Sequence, residues 1–310
     1  MSYHITAQAK NQSNNVEVSD QLQKSHDIVV GVVDTGVDIQ HEQLKDSIWI
    51  NEGEMGLDQF GRDKSRNGID DDGNGYKDDI HGWNFVDDNN KVLDENGHGT
   101  HVAGIIKKQF EKVKQNKYQT IKFMVLKFYD HTVKGEQSLI NGVKAMNYAI
   151  RMNARVLNYS GGGVDYDERE LFVLQKAARH KIILVAAAGN NHTNSDYNKY
   201  YPASYNLSNI IAVASIDRDL KLSAFSNFGL DSVDIAAPGN AVLSAMPRNK
   251  SDYLSGTSQS TAFVTGRLSS IILNCWDCSL DFYKSFLFSQ AKKLPALKGL
   301  IKTQLALVEE

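Results

Sequence analysis

Three short stretches of this chain carry the side chains that nucleophilic catalysis needs. Ser258 lies in Gly256-Thr257-Ser258-Gln259-Ser260-Thr261, His98 lies in Asn96-Gly97-His98-Gly99-Thr100-His101-Val102-Ala103-Gly104, and Asp34 ends the apolar run Ile28-Val29-Val30-Gly31-Val32-Val33 before Thr35-Gly36. A serine hydroxyl becomes a nucleophile when a base takes its proton. The base in turn needs an anion that fixes its tautomer and stabilises its cationic form. Taken singly, each residue has a plainer use: Thr257 or Ser258 as a helix N-cap, Asp34 as a turn cap. Their occurrence together, each flanked by glycine, favours the chemical use.

The elements that would position these groups can be read from periodicity. Val264, Leu268, Ile271, Ile272 and Cys275 follow Ser258 at the spacing of one helix face. Ser258 is therefore expected at a helix N-terminus, where unpaired N–H groups can hold a developing oxyanion. The run 28–33 is apolar on both faces, as a central parallel strand covered by helices should be. Further strands are expected at 121–127, 155–159, 182–188 and 210–214, and helix faces at Leu139, Ile140, Val143, Met146 and Ile150 and at Leu171, Leu174, Ala177 and Ala178. This alternation predicts an α/β fold: a doubly wound, mostly parallel sheet with helices on both faces. Its ligand sites gather at the carboxyl ends of strands, where Asp34 lies. Ser160-Gly161-Gly162-Gly163 ends another strand, and glycines there would let a second backbone approach closely. A flexible loop is the plainer reading of that segment.

The order Asp34, His98, Ser258, with these flanking residues, resembles that of the subtilisin-like serine proteases, the subtilases. The resemblance spans roughly residues 28–270 and implies a serine endopeptidase working on extended polypeptides through an acyl-enzyme. It implies that Asn190, at the end of Ala186-Ala187-Ala188-Gly189-Asn190, gives a side-chain hydrogen bond to the oxyanion, and that Ser160, Gly161, Gly162, Ala188 and Gly189 line the substrate pocket. It also implies that Val133, Lys134 and Gly135 form an edge segment for the substrate, and that the Tyr201-Pro202 bond is cis. Tyr200 falls near the pocket floor. No carboxylate cluster stands on these pocket segments, so small or apolar side chains at the cleavage position are the expectation. Two departures stand out. The residues after Ser258 replace the Met, Pro and second His usual in the family, and Gln43 with a helix continuing into Lys107-Lys108-Gln109-Phe110 argues against the family's high-affinity calcium site. Two other uses remain: a catalytically silent protease-like binding module, and a dedicated peptide-maturation protease or transpeptidase.

A second metal motif lies in the Asp-rich loop at 66–82. Asp70, Asp72, Asn74, Gly75, Tyr76 and Asp78 match the first nine positions of an EF-hand loop, with carboxylate or amide oxygens at one, three, five and nine and a backbone carbonyl at seven. His81 stands where the bidentate Glu belongs, so Asp79 is the candidate to replace it. A structural Ca²⁺ is the expected guest, since five aspartates in ten residues would otherwise repel one another. An acidic solvated turn is the alternative.

With 310 residues, 41% of them apolar, one catalytic domain over 26–310 can bury an ample core, and a monomer is expected. Residues 1–25 read as a polar arm, and a C-terminal helical segment is expected from about 279, with an amphipathic helix over 294–307. A formal charge of -3 leaves no nucleic-acid footprint, and no apolar run is long enough to insert in a membrane. Besides polypeptide substrates, a pro-segment or a protein inhibitor is a conceivable partner. Cys275 and Cys278 read as structural, reduced or paired. The compartment depends on the start: secreted or extracytoplasmic if an upstream leader was removed, cytoplasmic if Met1 is natural.

Overall fold

Ile28, Val30 and Val32 of the first strand turn to one face of a sheet and Gly31 and Val33 to the other, and all five are buried. That two-sided burial makes this strand the centre of the molecule. The computed structural model describes residues 27–115, 117–133 and 135–309; the polar arm expected over 1–25 lies outside the described residues.

One nine-stranded sheet holds β1 (Asp27–Asp34), β2 (Gly82–Asn84), β3 (Thr120–Lys127), β4 (Val156–Tyr159), β5 (Ile183–Ala187), β6 (Ile210–Ile216), β7 (Ile235–Pro238), β10 (Lys292–Lys293) and β11 (Leu305–Ala306). β8 (Val242–Met246) and β9 (Lys250–Leu254) form a separate hairpin. The order β10-β11-β7-β6-β5-β4-β1-β3-β2 is parallel apart from the β10–β11 pair. After β3 the chain crosses to the far side of β1, so the ends of β1, β4 and β5 meet where the winding reverses. Such a switch point is where α/β sheets bind ligands.

Among the described residues five helices complete the layers: α1 (His98–Val113), α2 (Glu136–Arg151), α3 (Glu168–Arg179), α4 (Thr257–Asn274) and α5 (Leu280–Ser289). α1 and α4 cover one face with Val102, Ile105, Ile106, Phe263, Val264 and Leu268. α2 and α3 cover the other with Met146, Ala149, Val173 and Leu174. α4 is buried on nearly every side, which accounts for its run of small and apolar residues. α1 continues unbroken to Val113, and the Lys107 ammonium donates to the Gln43 carbonyl at 2.7 Å. Cys275 and Cys278 are joined by a disulfide where α4 ends.

The helical segment expected from about 279 is present as α5, but the amphipathic helix expected over 294–307 is not formed. The chain there makes a 3-10 turn at Pro295–Leu297 and then β11, whose Ala306 pairs with Ala236 of β7. Proline cannot supply a helical N–H, and Gly299 takes φ +78°. Leu294, Leu297 and Ile301 are buried beside β7 without a helix.

Candidate active site

Asp34, His98, Ser160, Asn190 and Ser258 come from five elements, and all lie at the carboxyl edge of the sheet. Asp34 ends β1, Ser160 and Asn190 follow β4 and β5, and His98 and Ser258 open α1 and α4. Asp34 Oδ1 accepts from His98 Nδ1 at 2.7 Å and from the Thr35 N–H at 2.8 Å. The carboxylate is buried, at 3% exposure, while the imidazole keeps one side open. Burial opposes protonation of His98, but the charge and hydrogen bond of Asp34, with a smaller contribution from Asp94, outweigh it and raise its pKa above the ordinary value. That is the bias a general base needs, because its cationic form is stabilised at the moment it takes the proton.

Asp94 holds this pair in place, and sequence reasoning did not single it out. Its Oδ1 accepts from the Thr35 hydroxyl (2.9 Å) and the Gly97 N–H (2.8 Å), and its Oδ2 accepts from the Thr100 N–H (2.9 Å) and hydroxyl (2.7 Å). One buried carboxylate thus ties the N-terminus of α1 to the end of β1. Only a glycine fits at position 99: a Cβ there would lie 2.0 Å from the Gly36 carbonyl oxygen and 3.1 Å from the Asp34 Cβ. The signal for Asp94 was present in Asp94-Glu95-Asn96-Gly97, but the long-range partner Thr35 is visible only in three dimensions.

Ser258 is the second residue of α4 and is buried, at 6% exposure. Its hydroxyl donates to the Ser160 carbonyl at 3.0 Å, so its proton lies on the cleft wall in this state. Catalytic hydrogen bonds are often formed only with substrate present. Asn190 is oriented by its oxygen, which accepts from the Thr257 N–H at 2.8 Å and the Thr257 hydroxyl at 3.0 Å. The amide nitrogen therefore faces away from Thr257. A Cβ placed on Gly256 would lie 2.9 Å from Gln259 Oε1, 3.5 Å from Asn190 Nδ2 and 3.7 Å from Ser258 N, so both donors border one small volume at the start of α4, with the Gln259 amide oxygen beside them.

A cleft of about 790 Å³ runs from Asp34 and His98 past Ser160, Gly161 and Gly162 to the start of α3. Val133 and Gly135 line it; Val133 belongs to a turn, its N–H donating to the Asp130 carbonyl, and Lys134 lies outside the described residues. Tyr201-Pro202 is cis, as the resemblance implies. The Tyr200 ring is wedged between the two glycine segments. A Cβ on Gly162 would lie 2.5 Å from its Cε1, and one on Gly189 would lie 3.2 Å from its Cδ1. Ala188 is buried. The expected pocket segments carry no carboxylate, but the cleft is wider than those segments, and Glu136, Asp165, Asp167 and Glu170 also line it. Glu136 and Glu170 stand in the first turns of α2 and α3, Asp167 caps α3 and Asp165 lies in the loop before it, all outside the segments taken as the pocket wall.

The Asp-rich loop is drawn together chiefly by its own donors. Asp70 accepts from the N–H groups of Asn74 (3.0 Å) and Gly75 (2.7 Å), and Asp72 accepts from the Asn74 N–H at 2.9 Å. Asn74 is itself bound through its oxygen to the Tyr76 N–H at 2.8 Å. Asp78 turns outward to the Gly68 N–H at 3.0 Å. Asp79 is fully buried, accepts from Asn51, Asn74 and the Tyr148 hydroxyl, and has its pKa raised by burial. The group that joins Asp70 and Asp72 is Glu54: these three can each bring one carboxylate oxygen within 4.8 Å of the others. Glu54 is fully buried, its Oε1 accepts from the Asp71 N–H at 2.8 Å, and its Oε2 has no partner. It lies in a separate turn well before the loop, where the spacing argument could not reach it.

Comparison with known proteins agrees with this architecture. The profile of the subtilase family matches residues 25–277. Over 257 residues the chain is 31% identical to the major intracellular serine protease of Bacillus subtilis, covering 80% of this chain and 69% of that one. It is 30% identical over 262 residues to subtilisin-like protease 2 of Plasmodium falciparum, covering 81% of this chain but only 17% of that protein's length. In fold it is similar to a cold-adapted subtilisin-like serine proteinase, with a TM-score of 0.66 at 24% identity over 90% of this chain and 89% of that one. A lanthipeptide protease gives a TM-score of 0.66 at 21% identity, covering 87% and 81%. With a family profile spanning most of its length and a sheet wound in the same way, the chain belongs to the subtilase family.

Proposed function

We propose that this chain is a serine endopeptidase that hydrolyses extended polypeptides through an acyl-enzyme. The observation that carries the reading is the 2.7 Å contact between Asp34 and His98, beside a helix start at which Ser258 N and Asn190 Nδ2 face one volume. Substrate binding turns the Ser258 hydroxyl from the Ser160 carbonyl to His98 Nε2. His98 removes the proton as Ser258 Oγ bonds to the scissile carbonyl carbon, and the carbonyl π electrons move to its oxygen. Ser258 N–H and Asn190 Nδ2 hold that oxyanion. His98 then gives the proton to the leaving amine, the C–N bond breaks, and a water activated by His98 repeats the sequence to release the acid. Throughout, Asp34 keeps the imidazole in the tautomer with Nδ1 protonated.

Calcium is proposed as a structural ion held by Glu54, Asp70 and Asp72. The support is the unpartnered, buried Glu54 Oε2 and the oxygen-only donor set, which suits a hard cation. When bound, the ion would neutralise carboxylates that otherwise repel one another. Asp79, Asn74, Tyr76 and Asp78 would then act around the loop rather than all at the ion.

The test is digestion of an unrelated unfolded protein, followed by mass spectrometry of the fragments. Internal cleavage by the native chain and none by Ser258→Ala is the expected result. Intact substrate with both proteins, each shown to be folded, would refute hydrolysis and favour a silent binding module.

A further inference from the structure

We infer that the cleft beside Ser258 selects a cationic side chain, Lys or Arg, on the acyl side of the scissile bond, with Glu170 as its buried counter-charge. This deepens the proteolytic reading and rests on it for the direction in which a peptide lies. Glu170 stands in the first turn of α3 and lines the cleft, yet it is only 2% exposed, and its Oε2 has no hydrogen-bond partner. A carboxylate so placed is costly to ionise, because nothing replaces the water that its Oε2 has lost. Burial first, then the charge of Asp167, push its pKa up to about 7 despite a hydrogen bond from Tyr205. A cation entering the cleft would supply the missing partner.

The cations already present do not fill that role. Arg169 lines the same cleft, but its guanidinium is held at the rim by Asp167, through Nη2 at 2.7 Å and Nε at 3.0 Å, and by Glu136 at 3.3 Å. Among the described lining residues this leaves Asp165, exposed at the mouth, and Glu170, at the floor, without a basic partner. The groups that act on Glu170 are otherwise aromatic: Tyr159 from the end of β4 and Tyr205 from the segment after Pro202. Phenol rings beside a carboxylate suit an ammonium or guanidinium, which gains from both the charge and the ring faces.

The position of the cationic residue follows from Tyr200. Its ring occupies the room between Gly162 and Gly189, so the residue at the scissile bond has little space there. The open volume lies further along, over Gly161 and Gly162 toward Glu170. A residue upstream of the cleaved one is therefore the one whose side chain reaches the floor.

The experiment measures binding without cleavage. Ser258→Ala protein is titrated with acetylated alanine hexapeptides that carry a single arginine, or its neutral isostere citrulline, at each of the first four positions. At one position upstream of the cleaved residue, the arginine peptide should bind at least about ten times tighter, the scale of one charge-assisted hydrogen bond. Glu170→Gln and Glu170→Leu, each added to Ser258→Ala, should bring that ratio to near one. Both should also raise the melting temperature relative to the parent at pH 8 but little at pH 5, where Glu170 is already protonated in the fold. Asp165, Asp167, Arg169 and Glu136, the other charged groups lining this part of the cleft, are unchanged in the comparison. Equal binding of the two peptides at every position, or a ratio that survives both substitutions, would overturn the assignment. A binding ratio that depends on Glu170 in a protein whose native form cleaves nothing would refute the protease reading and leave the cation pocket standing.

Discussion

Replacing Asn190 by Asp and by Ala separates the two jobs this side chain does. Its oxygen accepts from the Thr257 N–H and hydroxyl, at 2.8 and 3.0 Å, and its nitrogen is thereby turned toward the volume beside Ser258 N. Asn190→Asp keeps an acceptor for Thr257 and removes the donor, whereas Asn190→Ala removes both. Loss of one oxyanion donor costs about 2.7–4 kcal/mol of transition-state stabilisation, a magnitude known from subtilisin itself. At about 1.36 kcal/mol per tenfold, this is about a 10²–10³-fold fall in kcat. The aspartate adds a negative charge next to the developing oxyanion, so its fall should be at least as large. In stability the two variants should part. Alanine leaves the two Thr257 donors without their acceptor, at roughly 1 kcal/mol each, while aspartate leaves both bonds in place. Steady-state kinetics on one peptide substrate and thermal melts of both variants would read these effects. The reasoning fails if Asn190→Asp stays within tenfold of the native kcat, because the donor would then not face the reacting oxygen.

Four further outcomes follow from the same geometry. The acid limb of kcat/KM should lie above pH 6.5, since Asp34 raises His98 over its ordinary value and only neutral His98 can act as base. Because the folded pKa is raised, His98 stabilises the fold below its unfolded value and loses that contribution as pH climbs through the folded one, so activity should rise over the window in which this stability fades. Asp34→Asn should lower kcat by about 10⁴-fold. Chelation should lower the melting temperature in the native chain but not in Glu54→Gln with Asp72→Asn; free Ca²⁺ at a hundred times its Kd would contribute about 2.7 kcal/mol, read as a shift in calorimetry. Tyr200→Gly should open the room between Gly162 and Gly189. Specificity constants for large apolar side chains at the cleavage position should then rise by about 10–100-fold, the equivalent of burying about 1.5–3 kcal/mol of side chain, with little change for alanine.

The residues proposed to perform chemistry stood out in the sequence because each sits at an element boundary marked by glycine. Asp34 ends an apolar run, Gly97 and Gly99 flank His98, and Gly256 precedes the helix of Ser258. The sheet was legible for a similar reason: strands buried on both faces read as nearly continuous apolar runs, as β1, β5 and β6 do, while β3 keeps such a run from Phe123 to Leu126 after Lys122. What stayed hidden were groups whose role comes from partners far along the chain. Asp94 meets Thr35, Glu54 meets Asp70 and Asp72, and Glu170 faces a cleft made with Tyr159 and Tyr200. The C-terminal misreading has the same origin, since the apolar spacing over 294–307 fits a helix until Pro295, Gly299 and an open edge at β7 are considered together.

The most direct test of the central claim is the intact mass of the protein after exposure to a serine-directed fluorophosphonate. The account predicts one adduct on the native chain, mapped to Ser258, with none on Ser258→Ala and a much slower reaction on His98→Ala. A folded native protein that takes up no adduct, or takes it up equally after either substitution, would contradict the assignment of Ser258 as a nucleophile activated by His98.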